Sequence, residues 1–118
     1  MGVNEKDERE RLAIEMKKTA LENDSRFWGD VAKRIRKSKD NLVEVNVGKI
    51  SPFSSMDDTV VVPGVVLGSG RIEEPVKVAA LYFSKSARSK IEWAGGKAIT
   101  LRELMSENSK GTKIKIIG

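Results

Sequence analysis

Five cations fall within the seven residues from Lys33 to Lys39: Lys33, Arg34, Arg36, Lys37 and Lys39. Side chains of this type at this density suit the phosphates of RNA, whose neutralisation releases condensed counterions. A solvated helix face is the plainer account of such a run. The balance of 22 Lys and Arg against 17 Asp and Glu, a net charge of +5, favours the polyanion. The second grouping is Pro63-Gly-Val-Val-Leu-Gly-Ser-Gly-Arg71, in which Gly68, Ser69, Gly70 and Arg71 form a tight break. Glycines let backbone amides approach an anion closely. A nucleotide cradle, however, needs Lys and Ser or Thr after its second Gly, opening a helix, whereas Gly70 is followed by Arg71-Ile72-Glu73-Glu74-Pro75. What remains is a structural loop, or one that brings backbone and the Arg71 side chain to RNA.

Composition narrows any other chemistry to what carboxylates or lysine alone could do. The chain has no Cys and no His, which removes thiolate nucleophiles, structural disulfides, the commonest general base and the commonest metal ligand. Asp57-Asp58 and Glu73-Glu74 are paired carboxylates without a partner ligand nearby in sequence, and read as turn charge. Trp28 and Phe27 lie on an apolar arc and read as core, whereas Trp93 points away from Ile91 and Ala94 and is expected to be partly exposed. These residues predict a chain that is not an enzyme and takes no cofactor, no metal and no small-molecule substrate. The charged N-terminal stretch and the absence of any long apolar run predict a soluble cytoplasmic protein without a membrane partner.

The elements that must carry these residues follow from periodicity. Residues 5–22 are good helix formers with Leu12, Met16 and Thr19/Ala20 on successive turns. Asn23, Asp24 and Ser25 supply N-caps for a second helix from Arg26 to about Ser38. In it Phe27, Trp28, Val31, Ala32 and Ile35 fall within about 140° of arc, with Lys33, Arg34, Arg36 and Lys37 opposite. Charge follows the same division: five basic against seven acidic residues in 1–24, seven against three in 25–49, and ten against seven in 50–118.

From Leu42 the period becomes two, with Val43, Val45 and Val47 on one side. Residues 51–58 read as a loop, and Thr59–Val62, Pro63-Gly64 and Val65–Leu67 as a β-hairpin or bend around a type II turn with positive φ at Gly64. A strand is expected over Val76–Phe83, then a helix capped by Ser84 or Ser86 and ended by Gly95-Gly96. A short strand at Ala98-Ile99, a helix from Thr100 to about Asn108 and a strand over Lys113–Ile117 complete the chain. The reading is an α/β fold: a helical N-terminal extension over 1–40 with a basic second helix, and a mixed α/β core domain over 41–118.

Val45-Asn-Val-Gly-Lys-Ile50, Asp58-Thr-Val-Val-Val-Pro-Gly-Val-Val-Leu-Gly-Ser-Gly70, Pro75-Val-Lys-Val-Ala-Ala80, Phe83-Ser84 with Ala87 and Ile91, and Ala94-Gly-Gly96 carry a family resemblance. The sequence resembles the archaeal and eukaryotic large-subunit ribosomal protein eighteen-e family, related to the C-terminal domain of bacterial ribosomal protein fifteen. The resemblance implies a layered β-β-α superhelical fold and no catalysis. It also implies a permanent seat on 23S-type ribosomal RNA beside neighbouring large-subunit ribosomal proteins. Lys33, Arg34, Arg36, Lys37 and Lys39 would form one contact surface, and Lys49, Lys85 and Arg88 with Gly68–Arg71 a second. The family pattern is departed from at Asp40-Asn41-Leu42-Val43, where relatives commonly carry a basic stretch, and at Val65, where Lys is common. A free RNA chaperone or regulatory RNA-binding protein is the alternative in the same class.

Overall fold

The computed structural model describes residues 5–37, 42–53 and 59–118. Lys39, Asp40, Asn41, Asp57 and Asp58 therefore lie outside the described residues. Two compact units divide the chain: Met1–Leu42 with Arg102–Thr112, and Val43–Leu101 with Lys113–Gly118.

In the first unit α1 spans Glu5–Asn23 and α2 spans Arg26–Lys37. Between them Asp24 takes φ +50°, a left-handed conformation that a short polar side chain tolerates. Of the three expected capping residues, Ser25 is the one that caps α2: its Oγ accepts from the Trp28 amide at 3.3 Å. Gly29 faces Ala20 near the turn and Arg36 reaches Glu10 at the far end, so the helices run antiparallel. Leu12 and Met16 on α1 and Trp28, Val31, Ala32 and Ile35 on α2 are buried as the spacing requires, with Ala13 beside them, while Thr19, Ala20 and Phe27 are half-buried. The residues of α5 (Leu101–Glu107) from Arg102 onward, with the chain to Thr112, complete this unit.

The second unit is built on a sheet in which every pairing is parallel. Its strands are β1 (Val43–Asn46), β2 (Thr59–Leu67), β3 (Lys77–Phe83), β4 (Lys97–Thr100) and β5 (Ile114–Ile116), in the order β1-β2-β3-β4. β5 and β1 share one edge of β2, β5 along Thr59–Val61 and β1 along Gly64–Leu67. The short helix α3 (Val47–Ile50) follows β1, and α4 (Lys85–Trp93) follows β3. Valines dominate the buried cluster, with Val45, Val60, Val62, Val66 and Val78 packed with Ile50, Ile72, Ala87 and Ile91. Runs buried on both faces are the usual mark of parallel strands.

The expected hairpin at Pro63-Gly64 is not formed. Residues Thr59–Leu67 are one strand, with a register shift against β3 between Val62 and Val65. Gly64 is not among the glycines with positive φ. Pro63 sits at the irregularity, where a missing amide costs no ladder hydrogen bond. Gly64 is required for a different reason: a Cβ there would lie 2.1 Å from the Val43 carbonyl oxygen of β1. Pro-Gly thus marks a close approach of two paired parallel strands and not a reversal. Val47, expected on the same strand as Val43 and Val45, instead opens α3.

Candidate nucleic-acid interface

The first group of candidate residues sits on α2. Lys33, Arg34, Arg36 and Lys37 are all exposed, while Trp28, Val31 and Ile35 on the opposite side are at most 1% exposed. The helix therefore presents a basic face by the same periodicity that buries its core face. Two of the four cations already hold carboxylates. Arg34 Nε donates to Asp30 Oδ2 at 3.2 Å, one turn back on the helix, and Arg36 Nη2 to Glu10 Oε1 of α1. Both pairs are half exposed, so each contributes about 0–1 kcal/mol and is open to competition from a stronger anion. Among the described residues Lys33 and Lys37 pair with no carboxylate. Lys39 lies outside the described residues.

The second group gathers at the carboxyl edge of the sheet. Parallel strands deliver their C-terminal loops to one edge, the place where α/β sheets bind ligands. β1 runs into α3 with Lys49, β2 into Gly68–Arg71, and β3 into the cap of α4 with Lys85 and Arg88. Ser84 caps α4, its Oγ accepting from the Ala87 amide at 3.1 Å. Four interactions then fix the Gly68–Arg71 loop. Ser69 N donates to Asn46 Oδ1 at 3.1 Å, Gly48 N donates to Ser69 O at 3.0 Å, and Lys90 Nζ donates to the Gly68 carbonyl and, at 2.9 Å, to the Gly70 carbonyl.

Packing explains the loop's glycines. A Cβ on Gly68 would lie 1.9 Å from Ser86 Oγ, and one on Gly70, at φ +93°, 2.7 Å from the Gly48 Cα. The Ser69 amide, which an anion cradle would use, is taken by Asn46. What the loop offers outward is Ser69, which is exposed, and the side chain of Arg71, 90% exposed and 3.8 Å from the Glu73 carboxylate. Arg88 is exposed but engaged within its own unit: Nη1 donates to the Ala98 carbonyl at 3.2 Å and the guanidinium lies 5.1 Å from the Phe83 ring centre. Lys49 and Lys85 are exposed.

Two residues at this edge carry no signal in the sequence that marks their role. Asn46 shows nothing beyond its place at the end of a valine alternation. Lys90 shows only as one more cation on a helix, because its role depends on α4 lying beside a loop about twenty residues earlier. Trp93 is 91% exposed at the last turn of α4 and, with Gly70, Arg71, Ile72, Glu73 and Lys90, lines one shallow pocket. Among the described residues no group of His, Cys, Asp and Glu is placed to hold a metal ion, and no helix is long and apolar enough to cross a membrane.

Comparison with known proteins gives the lineage of this arrangement. The sequence model of the family described as ribosomal protein 60S L18 and 50S L18e matches residues 10–117. Large ribosomal subunit protein eL18 of Archaeoglobus fulgidus is 47% identical over 98 residues, covering 83% of this chain and 84% of the relative. The protein of the same name from Methanospirillum hungatei is 46% identical over 102 residues, covering 86% and 84%. That from Methanococcus maripaludis is 45% identical over 106 residues, covering 90% and 88%. The chain belongs to the L18/L18e family of ribosomal proteins.

Proposed function

We propose that this chain is a structural constituent of the large ribosomal subunit, in the cytoplasm, that binds 23S-type ribosomal RNA and stabilises its packing. Its relatives are named as large ribosomal subunit proteins, and the family is one of structural constituents and not of enzymes. The observation that carries RNA binding is the segregation of α2, with Lys33 and Lys37 exposed and without carboxylate partners among the described residues, opposite a fully buried Trp28. In this reading the helical extension, 1–40, supplies one phosphate-neutralising surface. The α/β core, 41–118, supplies another from Lys49, Arg71 and Lys85 at the carboxyl edge. A-form RNA hides its base edges in a narrow major groove, so recognition of duplex segments rests on backbone and shape. Neighbouring ribosomal proteins complete the environment.

Replacing Lys33, Arg34, Arg36 and Lys37 together by Ala tests this. Affinity for isolated 23S-type ribosomal RNA is expected to fall, and the slope of log affinity against log salt to flatten by about 0.7–0.9 for each phosphate no longer neutralised. An unchanged slope would remove α2 from the interface. A wild-type chain that failed to bind the RNA, or failed to sediment with large subunits, would overturn the assignment as a whole.

A further inference from the structure

We infer that Trp93, with Arg71 and Lys90, forms a seat for one unpaired nucleotide, the base stacked on the indole and its phosphate held by the cations. The proposal deepens the RNA-binding reading and rests on it. Tryptophan is on average among the more buried residues, yet this side chain is 91% exposed, beside Ile91 and Ile72 at 0% and 7%. The exposure is imposed by the fold. Ile91 occupies the core-facing turn of α4, and Trp93, two residues on, is rotated about 200° away from it. The helix ends directly afterwards. Gly96 N donates to the Ile91 carbonyl and Gly95 N to the Glu92 carbonyl, both at 2.9 Å, with Gly95 at φ +88°. That pair of bonds is the Schellman arrangement, and it fixes the backbone under the ring.

The occupant follows from what surrounds the ring. The pocket, about 340 Å³, is lined by Gly70, Arg71, Ile72, Glu73, Lys90 and Trp93, two cations against one carboxylate. Lys90 is pinned by the Gly68 and Gly70 carbonyls, which take two of its three donors. Arg71 is 90% exposed and its approach to Glu73, at 3.8 Å, is long, so the guanidinium can turn to a phosphate. An aromatic face beside fixed positive charge is the arrangement by which proteins bind unpaired bases, since every base has a face to stack and every nucleotide an anion. Inside a duplex both faces of every base are already stacked on neighbours, so none is free for the indole away from its ends.

The test uses the full chain with a short oligoadenylate and with an RNA duplex of the same length, followed by tryptophan fluorescence. Trp28 is buried and Trp93 exposed, and the Trp93→Phe variant supplies the Trp28 background. Emission from Trp93 is expected to be quenched by the unpaired RNA and not by the duplex. Trp93→Ala should weaken oligoadenylate binding about tenfold or more, Trp93→Phe should retain most of it, and duplex affinity should not change. Equal losses for both RNAs, or none, would overturn the seat while leaving RNA binding intact. So would a Trp93 signal that responds to ribosomal proteins but not to RNA. A wild-type chain that binds neither these RNAs nor ribosomal RNA would remove the RNA reading and the seat together.

Discussion

The indole nitrogen of Trp28 donates to the backbone carbonyl of Asn108 at 2.9 Å, across eighty residues of sequence. The cap of the same helix is tied alike, with Ser25 Oγ donating to the Lys110 carbonyl at 3.0 Å. Asn108 in turn organises its loop, its Oδ1 accepting from the amides of Gly111 and Thr112. The first turn of α2 is thus anchored at two points to the chain that follows α5. A basic face can present a fixed spacing of charges only if its helix is held in this way.

Trp28→Phe is expected to destabilise the chain by about 2–4 kcal/mol. The substitution leaves the Asn108 carbonyl without this donor and opens space in a site that is fully buried. Urea unfolding with an unchanged slope would give the value. A destabilisation under about 1 kcal/mol would mean that the site collapses around the smaller ring.

Two glycines should respond to Ala with opposite signs. At Gly29, inside α2, the nearest atom to an added Cβ is Ala20 Cβ at 3.8 Å, an ordinary van der Waals distance. Gly29→Ala should stabilise by about 0.5–1 kcal/mol through the helix preference of Ala and the stiffer unfolded chain. At Gly70 the φ of +93° and the 2.7 Å approach to the Gly48 Cα leave no room, and Gly70→Ala should cost about 1–3 kcal/mol. Denaturant midpoints of the two variants lying on the same side of the wild type would contradict this account.

Helices are legible in the sequence because their signals are local. Apolar spacing places Trp28, Val31 and Ile35 on one face, and residue type narrows the caps to Asn23–Ser25 and to Ser84 or Ser86 and the stop to Gly95-Gly96, among which the structure selects Ser25, Ser84 and Gly95. Pairing is not legible. Pro63-Gly64 carries a local turn signature, but its conformation is decided by Val43, about twenty residues away, and no nearest-neighbour rule contains that approach. The basic residues are legible by type alone, and their engagement is not. Arg36 meets Glu10 of another helix, Arg88 meets Phe83 and Ala98, and Lys90 closes a loop.

Arg102 bridges two carboxylates on one face of α1, Glu8 and Glu15, each at 2.7 Å. Its pKa is raised, chiefly by its hydrogen bond to Glu15 and against a partial cost of burial, so it stays charged until strongly alkaline pH. The three side chains are all about half exposed. Arg102→Gln is therefore expected to cost about 1 kcal/mol or less at low salt, and the cost should fade toward 1 M salt, where the screening length is about 3 Å. A cost that persisted at high salt would assign the residue a packing role instead.

The Glu10 carboxylate, held by Arg36 of the basic face, makes the sharpest prediction about RNA binding. Lys33 and Lys37 pair with no carboxylate among the described residues, whereas Arg36 must exchange Glu10 for a phosphate. Lys33→Ala and Lys37→Ala should each flatten the salt dependence of RNA binding by about 0.7–0.9, the value of one neutralised phosphate. Glu10→Gln removes the competing charge but keeps an oxygen for Arg36. It should therefore strengthen binding, and steepen the slope by up to the same amount if Arg36 takes up a phosphate. The order of effects distinguishes this surface from a merely solvated one. A solvated face would respond to net charge alone, so Lys33→Ala would weaken binding by as much as Glu10→Gln strengthens it, with no change in slope for either. Filter binding of the three variants across a salt series reads both quantities.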